Sequence, residues 1–188
     1  MMKKYYEITE PIKTVIISAF PGTGKTQCVK DKLDSDSLFK FTDSDSSRFS
    51  WIEKNGNKER NLDFPNNYFD HINKEYIGKK DYVFISTHKE VRDYMTKNNI
   101  YFNLVYPHRS LKDEYIMRYK ARGNDPKFIK MMYDKWDGFI EELENEKKCT
   151  HTVLNSGQYI NDIFSMYSLF TNRKKCFVST IGQMTWDR

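Results

Sequence analysis

The sequence predicts an α/β protein built on a doubly wound, mainly parallel five-stranded sheet, and three observations lead there. Short β-branched and aromatic runs recur along the chain, a polar break and a helical pattern follow each, and the first run ends in a Pro-Gly pair that opens a helix. The 188 residues suit one domain spanning 1–188, and an apolar content of 38%, with 15% aromatic residues, supplies one substantial core.

The elements follow in order. TVIISAF, residues 14–20, is a continuous apolar run of the kind buried on both faces of a parallel sheet, and a helix from Gly24 to Leu33 follows it. Asp34 to Ser47 is rich in Ser and Asp and reads as loop, except where LFKFTD (38–43) forms the second strand. Helices over Pro65–Gly78 and Lys89–Lys97 flank the third strand, YVFIS (82–86). FNLVY (102–106) is the fourth strand, followed by a helix over Ser110–Arg122. The longest helix, Pro126–Lys147, has Asp125 as N-cap and Pro126 at its first position. Its stripe of Phe128, Met132, Trp136 and Ile140, with Phe139 and Leu143 alongside, reads as core. HTVLN (151–155) completes the sheet, a helix covers Gln158–Phe170, and 172–188 reads as a loosely packed C-terminal extension.

Composition narrows the function. No run of about 18 apolar residues is present, so no membrane span is expected. MMKKYYEITEPIK at the N-terminus lacks the apolar region of a secretory leader, which points to the cytoplasm. Cys28, Cys149 and Cys176 are odd in number and widely spaced, arguing against a disulfide framework or a structural zinc site. A net charge of +5 favours phosphate-bearing partners weakly.

The sharpest motif is AFPGTGKT, residues 19–26, directly after the first strand. It fits the phosphate-loop pattern with Ala19 in place of the first glycine. Pro21, Gly22, Thr23 and Gly24 would turn backbone N–H groups around a phosphate at a helix N-terminus. Lys25 would neutralise the β- and γ-phosphates of ATP, and the Thr26 hydroxyl would ligate magnesium.

The second strand runs into TDSDSSRFSW (42–51), at the carboxyl edge where α/β sheets bind ligands. Asp45 suits the base role toward a hydroxyl acceptor, and Arg48 suits an acceptor phosphate. Asp43 competes for the base role or holds magnesium through water, and the same stretch reads alternatively as a solvated, Asp- and Ser-capped turn. Phe49, Trp51, Phe64 and Tyr68 suit either base stacking or packing beneath a helix. His88 and Arg92, opening the helix after the third strand, are further acceptor contacts or ordinary surface groups. Residues 109–125 read as a helical lid. At about 100° per residue, Arg118 and Arg122 fall within about 20° of Leu111, on the inward stripe. Such arginines either close over the transferring phosphoryl group or snorkel at the core edge. Arg109 is a weaker candidate, and LNSGQY (154–159) is placed for contact with adenine.

On AFPGTGKT, TDSDSSRFSW, STHKEVRDY and LVYPHRSLKDEYIMRYKARG, the chain from Thr14 to Ile163 resembles the phage and bacterial P-loop kinases related to polynucleotide kinase and nucleoside monophosphate kinases. Polynucleotide kinases use a loop lysine and hydroxyl, an aspartate three residues before an arginine, and lid arginines. The resemblance aligns Lys25 with Thr26, Asp45 with Arg48, and Arg118 with Arg122, implying Asp45 as general base and Arg48 as acceptor-phosphate ligand. It implies ATP and magnesium as cofactors, and the host cytoplasm as the location if the gene is phage-borne. No phosphatase-like second domain accompanies it, which fits a stand-alone kinase.

The expected activity is transfer of the γ-phosphoryl group to a (deoxy)nucleoside or nucleoside monophosphate. A polynucleotide or 5-hydroxymethyluridine DNA kinase is the alternative. A nucleotide-gated binding module is the third reading, although no Asn-Lys-x-Asp guanine-reading element is present.

Overall fold

The computed structural model describes residues 13–34, 37–54 and 56–164. Five strands, β1 (Val15–Ala19), β2 (Phe41–Asp43), β5 (Tyr82–Ile85), β6 (Asn103–Pro107) and β7 (Thr150–Leu154), form one sheet in the order β2-β5-β1-β6-β7. Every pairing in it is parallel. Right-handed crossovers then dictate the layering. Leaving β1 toward β2 puts α1 (Lys25–Asp34) on one face, whereas every later crossover runs the other way. Those crossovers put α3 (Asn66–Glu75), α4 (Lys89–Lys97), α5 (Lys112–Ala121) and α6 (Pro126–Glu144) on the opposite face.

Strand alternation feeds both faces. Ile16, Val83, Ile85, Leu104 and Tyr106 join the larger core with Tyr68, Ile72, Met95, Tyr115 and Trp136. Ile17, Phe84 and Val105 point the other way, toward Cys28, Ile160 and Phe164. The α6 stripe behaves as core: Met132, Trp136, Ile140 and Leu143 are buried, and Phe128 and Phe139 are partly so. Asp125 caps this helix by accepting from the Lys127 N–H at 2.6 Å, with Pro126 at the first turn. Burial pushes the Cys28 thiol up to about 11 and that of Cys149 up to about 12, so both are unreactive packing groups near neutrality.

Two local features depart from the sequence expectation. The helix expected over Ser110–Arg122 begins as a 3₁₀ turn at Arg109–Leu111, where His108 Nδ1 accepts from the Ser110 N–H, and becomes α-helical only at Lys112. Between β2 and α3 lies an element that was not expected: a short helix α2 (Ser47–Ser50) runs straight into an antiparallel hairpin of β3 (Trp51–Lys54) and β4 (Asn57–Arg60). The Asn-Gly pair at 55–56 between two alternating segments is the sequence signal for this hairpin. The helix expected over Gln158–Phe170 is helical at 160–164, and its remainder, like Cys176 and the 172–188 extension, lies outside the described residues.

Arg92, 3% exposed, ties α4 to the end of α6. It donates to Glu146 at 2.7 Å, to Glu142 at 2.9 Å and to the Thr87 carbonyl at 3.1 Å. Removing one partner of a buried ion pair leaves the other charged and uncompensated. Glu146 is 14% exposed and bears that cost, while Glu142, at 38%, is solvated. Arg92→Ala is therefore expected to lower stability by about 3 kcal/mol. Urea unfolding would register it as a lower midpoint at unchanged slope.

Candidate functional site

Residues 20–24 link the end of β1 to α1 at the carboxyl edge of the sheet, in the crevice where the two layers of helices diverge. The loop takes its shape from where its carbonyls go. Ala19 O accepts from Lys25 Nζ at 2.7 Å, and Phe20 O accepts from the Thr23 hydroxyl at 2.8 Å. Pro21 O accepts from the Tyr119 hydroxyl at 2.9 Å, and Gly22 O from Arg118 at 3.3 Å. Thr23 O accepts from the Ile160 N–H at 2.8 Å, and Gly24 O from the Cys28 N–H at 2.9 Å. The carbonyls of Pro21, Gly22 and Thr23 thus bond to groups outside the loop, while of its N–H groups Phe20 donates to Val105 O and Thr23 to Phe20 O, and those of Gly22, Gly24 and the start of α1 have no acceptor among the described residues. Free N–H groups at a helix N-terminus suit an anion.

Two glycines make this close fit possible. Gly22 has φ +82° and Gly24 has φ +90°, conformations that L side chains rarely adopt. A Cβ on Gly22 would stand 2.9 Å from Tyr119 Cε1, and one on Gly24 would stand 3.0 Å from Tyr159 Cδ1. The tyrosines are thus packed against the loop backbone itself.

At the loop's mouth the Thr26 hydroxyl donates to Asp43 Oδ2 at 2.6 Å. Lys25 has its amine withdrawn from water, which brings its pKa down to about 8; Asp43 opposes the shift, Arg122 adds to it, and Asp45 opposes it more weakly. Arg122, at the C-terminal end of α5, lies within electrostatic reach of the lysine. Asp43 acts on Lys25 more strongly than Asp45 does, so the two carboxylates that sequence left interchangeable have different surroundings. Asp45 is exposed, and it caps α2 by accepting from the Ser47 N–H at 2.9 Å and the Ser47 hydroxyl at 2.8 Å. Arg48, one turn on, is exposed and has neither an ion pair nor a hydrogen bond among the described residues. His88 is held below its ordinary pKa, chiefly by desolvation; Glu90 and Asp45 pull the other way, while Arg60 and Lys25 add to the fall.

Lys25, Thr26, Asp43, Asp45, His88 and Arg122 therefore share one neighbourhood, and Arg48 borders it on α2. Arg92 does not join them, because its guanidinium is spent on Glu142, Glu146 and Thr87. Its position near the start of α4 faces the end of α6 in the same helix layer, a tertiary fact that sequence spacing does not carry. Arg109 is likewise paired, with Glu144 at 2.7 Å.

Arg118 lies on the inward stripe as its angle predicts, but it is engaged. It contacts Gly22 O, donates to Gln158 O at 2.9 Å and pairs with Glu114 at 2.5 Å. Its guanidinium lies 4.5 Å from the Tyr115 ring and 3.9 Å from that of Tyr159. Glu114 completes the clasp by accepting from the Ser156 hydroxyl at 2.8 Å and the Gly157 N–H at 3.1 Å. In this structure Arg118 braces the loop, whereas Arg122, expected on the same inward stripe, is exposed at the C-cap of α5, has no hydrogen bond or ion pair among the described residues and acts on Lys25 through its charge. Sequence reading overlooked Glu114, Tyr119 and Tyr159 as loop supports. Their only signal was adjacency to Arg118 on the inward stripe and to the 154–159 turn.

Comparison of the chain with protein-family models and with curated proteins finds no match.

An anion bound in the cradle favours the protonated lysine. Above pH about 8 the free protein holds a neutral Lys25, so an anion placed against it would take up a proton on binding. The affinity of such an anion, with inorganic triphosphate as the probe, would fall as pH rises through about 8, by up to tenfold per unit. Lys25→Met should flatten that dependence, and calorimetry at pH 9 in buffers of different ionisation heat would measure the proton uptake directly. Gly24→Ala, strained in φ and crowded by Tyr159, should destabilise the fold by about 1–3 kcal/mol. Gly138→Ala, in the interior of α6 with nothing within 4 Å of its Cβ, should instead stabilise by about 0.5–1 kcal/mol. Thermal melts of the two variants should therefore move in opposite directions.

Proposed function

We propose that the protein is a P-loop kinase that transfers the γ-phosphoryl group of ATP, with magnesium, to a nucleoside or nucleotide acceptor. The observation that carries this reading is the 19–26 loop, whose Pro21, Gly22 and Thr23 carbonyls are tied to Tyr119, Arg118 and Ile160 while Lys25 and the Thr26–Asp43 pair stand beside it. Such a cradle suits a polyphosphate, and the carboxylates and arginines gathered beside it suit a second substrate. A central loop-bearing strand in an all-parallel sheet supports a nucleotide-kinase type of P-loop fold.

The Thr26 hydroxyl and the Asp43 carboxylate are hard oxygen donors 2.6 Å apart, the donor type that suits magnesium. Thr26 and Asp43 would hold the ion, which neutralises charge on the β- and γ-phosphates when bound. Loop N–H groups and Lys25 bind the same phosphates. Lys25 must release Ala19 O to reach them, exchanging a neutral acceptor for an anionic one.

Asp45, exposed beside the crevice, accepts the proton of an acceptor hydroxyl. Arg48, unpaired on α2, holds an anionic group of the acceptor, and Arg122 meets the charge that develops on the transferring group. Arg118 and Tyr119 fix the loop's shape. Catalysis on this account is positioning and electrostatics, with no covalent intermediate. A hydroxyl carried on DNA or RNA, modified bases included, would use the same groups. No described helix is long and apolar enough to cross a membrane, so nothing in the fold opposes an aqueous substrate.

The test is transfer from γ-labelled ATP with magnesium, offered in parallel to nucleosides, nucleoside monophosphates, 5′-hydroxyl oligonucleotides and hydroxymethyluracil DNA. Lys25→Ala is expected to abolish transfer while the fold is retained. Asp45→Asn should lower kcat by about 10²–10⁴ with ATP affinity preserved, and Asp43→Asn should raise the magnesium requirement. Tight ATP binding with no acceptor labelled would replace this reading with that of a nucleotide-gated binding module.

A further inference from the structure

We propose that Trp51 is the stacking platform for the nucleobase of the acceptor; this rests on the reading of the neighbouring site as a phosphoryl-transfer centre. Four aromatic residues border the acceptor side, and the fold separates them. Tyr68 is fully buried and donates its hydroxyl to Ser44 O, Phe64 is 9% exposed, and Phe49 packs against Tyr68 and His71 at centroid distances of 5.3 and 4.8 Å. These three are committed to the core. Trp51 keeps 43% of its surface open.

Its placement is built from both sides. α2 hands the chain directly to β3, so Trp51 follows the helix that carries Arg48, the unpaired cation of the acceptor edge. Across the hairpin Trp51 pairs with Arg60, whose guanidinium lies 5.5 Å from the indole and 4.7 Å from the Phe64 ring. Glu90, in the first turn of α4, pins that guanidinium at 2.6 Å. The indole therefore belongs to an anchored aromatic–cation–aromatic stack. His88, two residues before Glu90, feels Arg60 as well as Asp45 and Lys25, so the stack and the phosphate crevice flank one histidine.

Trp51 is 43% exposed with Arg60 over its ring, and an indole already placed by its neighbours loses little freedom when a base stacks on it. Stacking on tryptophan tolerates every base, because each has a π-face, and its removal weakens binding by about tenfold or more. The same chemistry is presented by a free nucleotide and by a nucleotide within a single strand. The rest of β3 and most of β4 are exposed too, leaving room for either.

The experiment is tryptophan fluorescence of the full chain, titrated without ATP with deoxyadenosine monophosphate, thymidine monophosphate and a short single-stranded oligodeoxynucleotide. Calorimetric titration with ATP runs in parallel. Of the other two tryptophans, Trp136 is buried and is a poor reporter of added ligand, and Trp186 lies outside the described residues, so the signal is assigned to Trp51 by its loss in Trp51→Phe. Quenching is expected in the wild type and lost in Trp51→Phe. Acceptor affinity should fall about tenfold in Trp51→Ala, be largely retained in Trp51→Phe, and leave ATP affinity unchanged in both. Quenching by monophosphates identifies a free nucleotide as the ligand; quenching by the oligonucleotide alone identifies a strand, and each supports the platform. Equal acceptor affinity in wild type and Trp51→Ala overturns it, as does the absence of acceptor binding while ATP binds, a result that leaves the donor site standing. Failure of ATP itself to bind would instead remove the reading of the loop on which the platform depends.

Discussion

The bonding of the loop carbonyls is the constraint on which the site depends. Buried carbonyls need partners, and the partners a loop finds fix its shape. Here the partners come from widely separated stretches: Lys25 within the loop's own helix, Arg118 and Tyr119 from α5, and Ile160 beyond β7. Each partner is placed by something larger. α5 is held by the aromatic core around Trp136, whose indole also donates to Arg109 O at 2.8 Å, and residue 160 follows from β7 pairing beside β6. The sheet, its two helix layers and the loop are thus one mechanical unit.

The electrostatics follow from the same geometry. Drawing Lys25 back onto Ala19 O removes its amine from water and lowers its pKa to about 8, although Asp43 and Asp45 stand near. Desolvation outweighs two carboxylates because one of them is engaged with Thr26 and the other is solvent-exposed and capping α2. A cation stored in this way is uncomfortable until an anion arrives, which favours the exchange.

Much of this was legible in the sequence. Strand runs and the Pro-Gly break located β1 and the loop, and the inward angle of Arg118 was right. What the sequence could not carry was partnership. Arg92 and Arg118 are both arginines near the ends of inward faces, yet one pairs with Glu142 and Glu146 and the other clasps the loop, because only the fold determines which acidic residues come near. Asp43 and Asp45 were indistinguishable by alternation, since a strand's period of two puts them on one face; the chain leaves the strand at Asp43, and α2 recruits Asp45 as its cap. The hairpin at β3 and β4 had a clear turn signal, but its charged, alternating strands lack the apolar continuity that marked the central sheet.

The Thr23–Ile160 hydrogen bond bears on the order in which the protein is made. The ribosome delivers the glycine-rich loop early, within the first strand-helix unit, yet the strand that completes the sheet and the amide that secures Thr23 are among the last described residues to emerge. Until Ile160 is made, the nascent chain carries the motif without the scaffold that gives it shape. The shape of the loop is in this sense a property of the chain through Ile160, and a ligand that needs that shape can stabilise the fold only after this stretch is made, without templating its assembly.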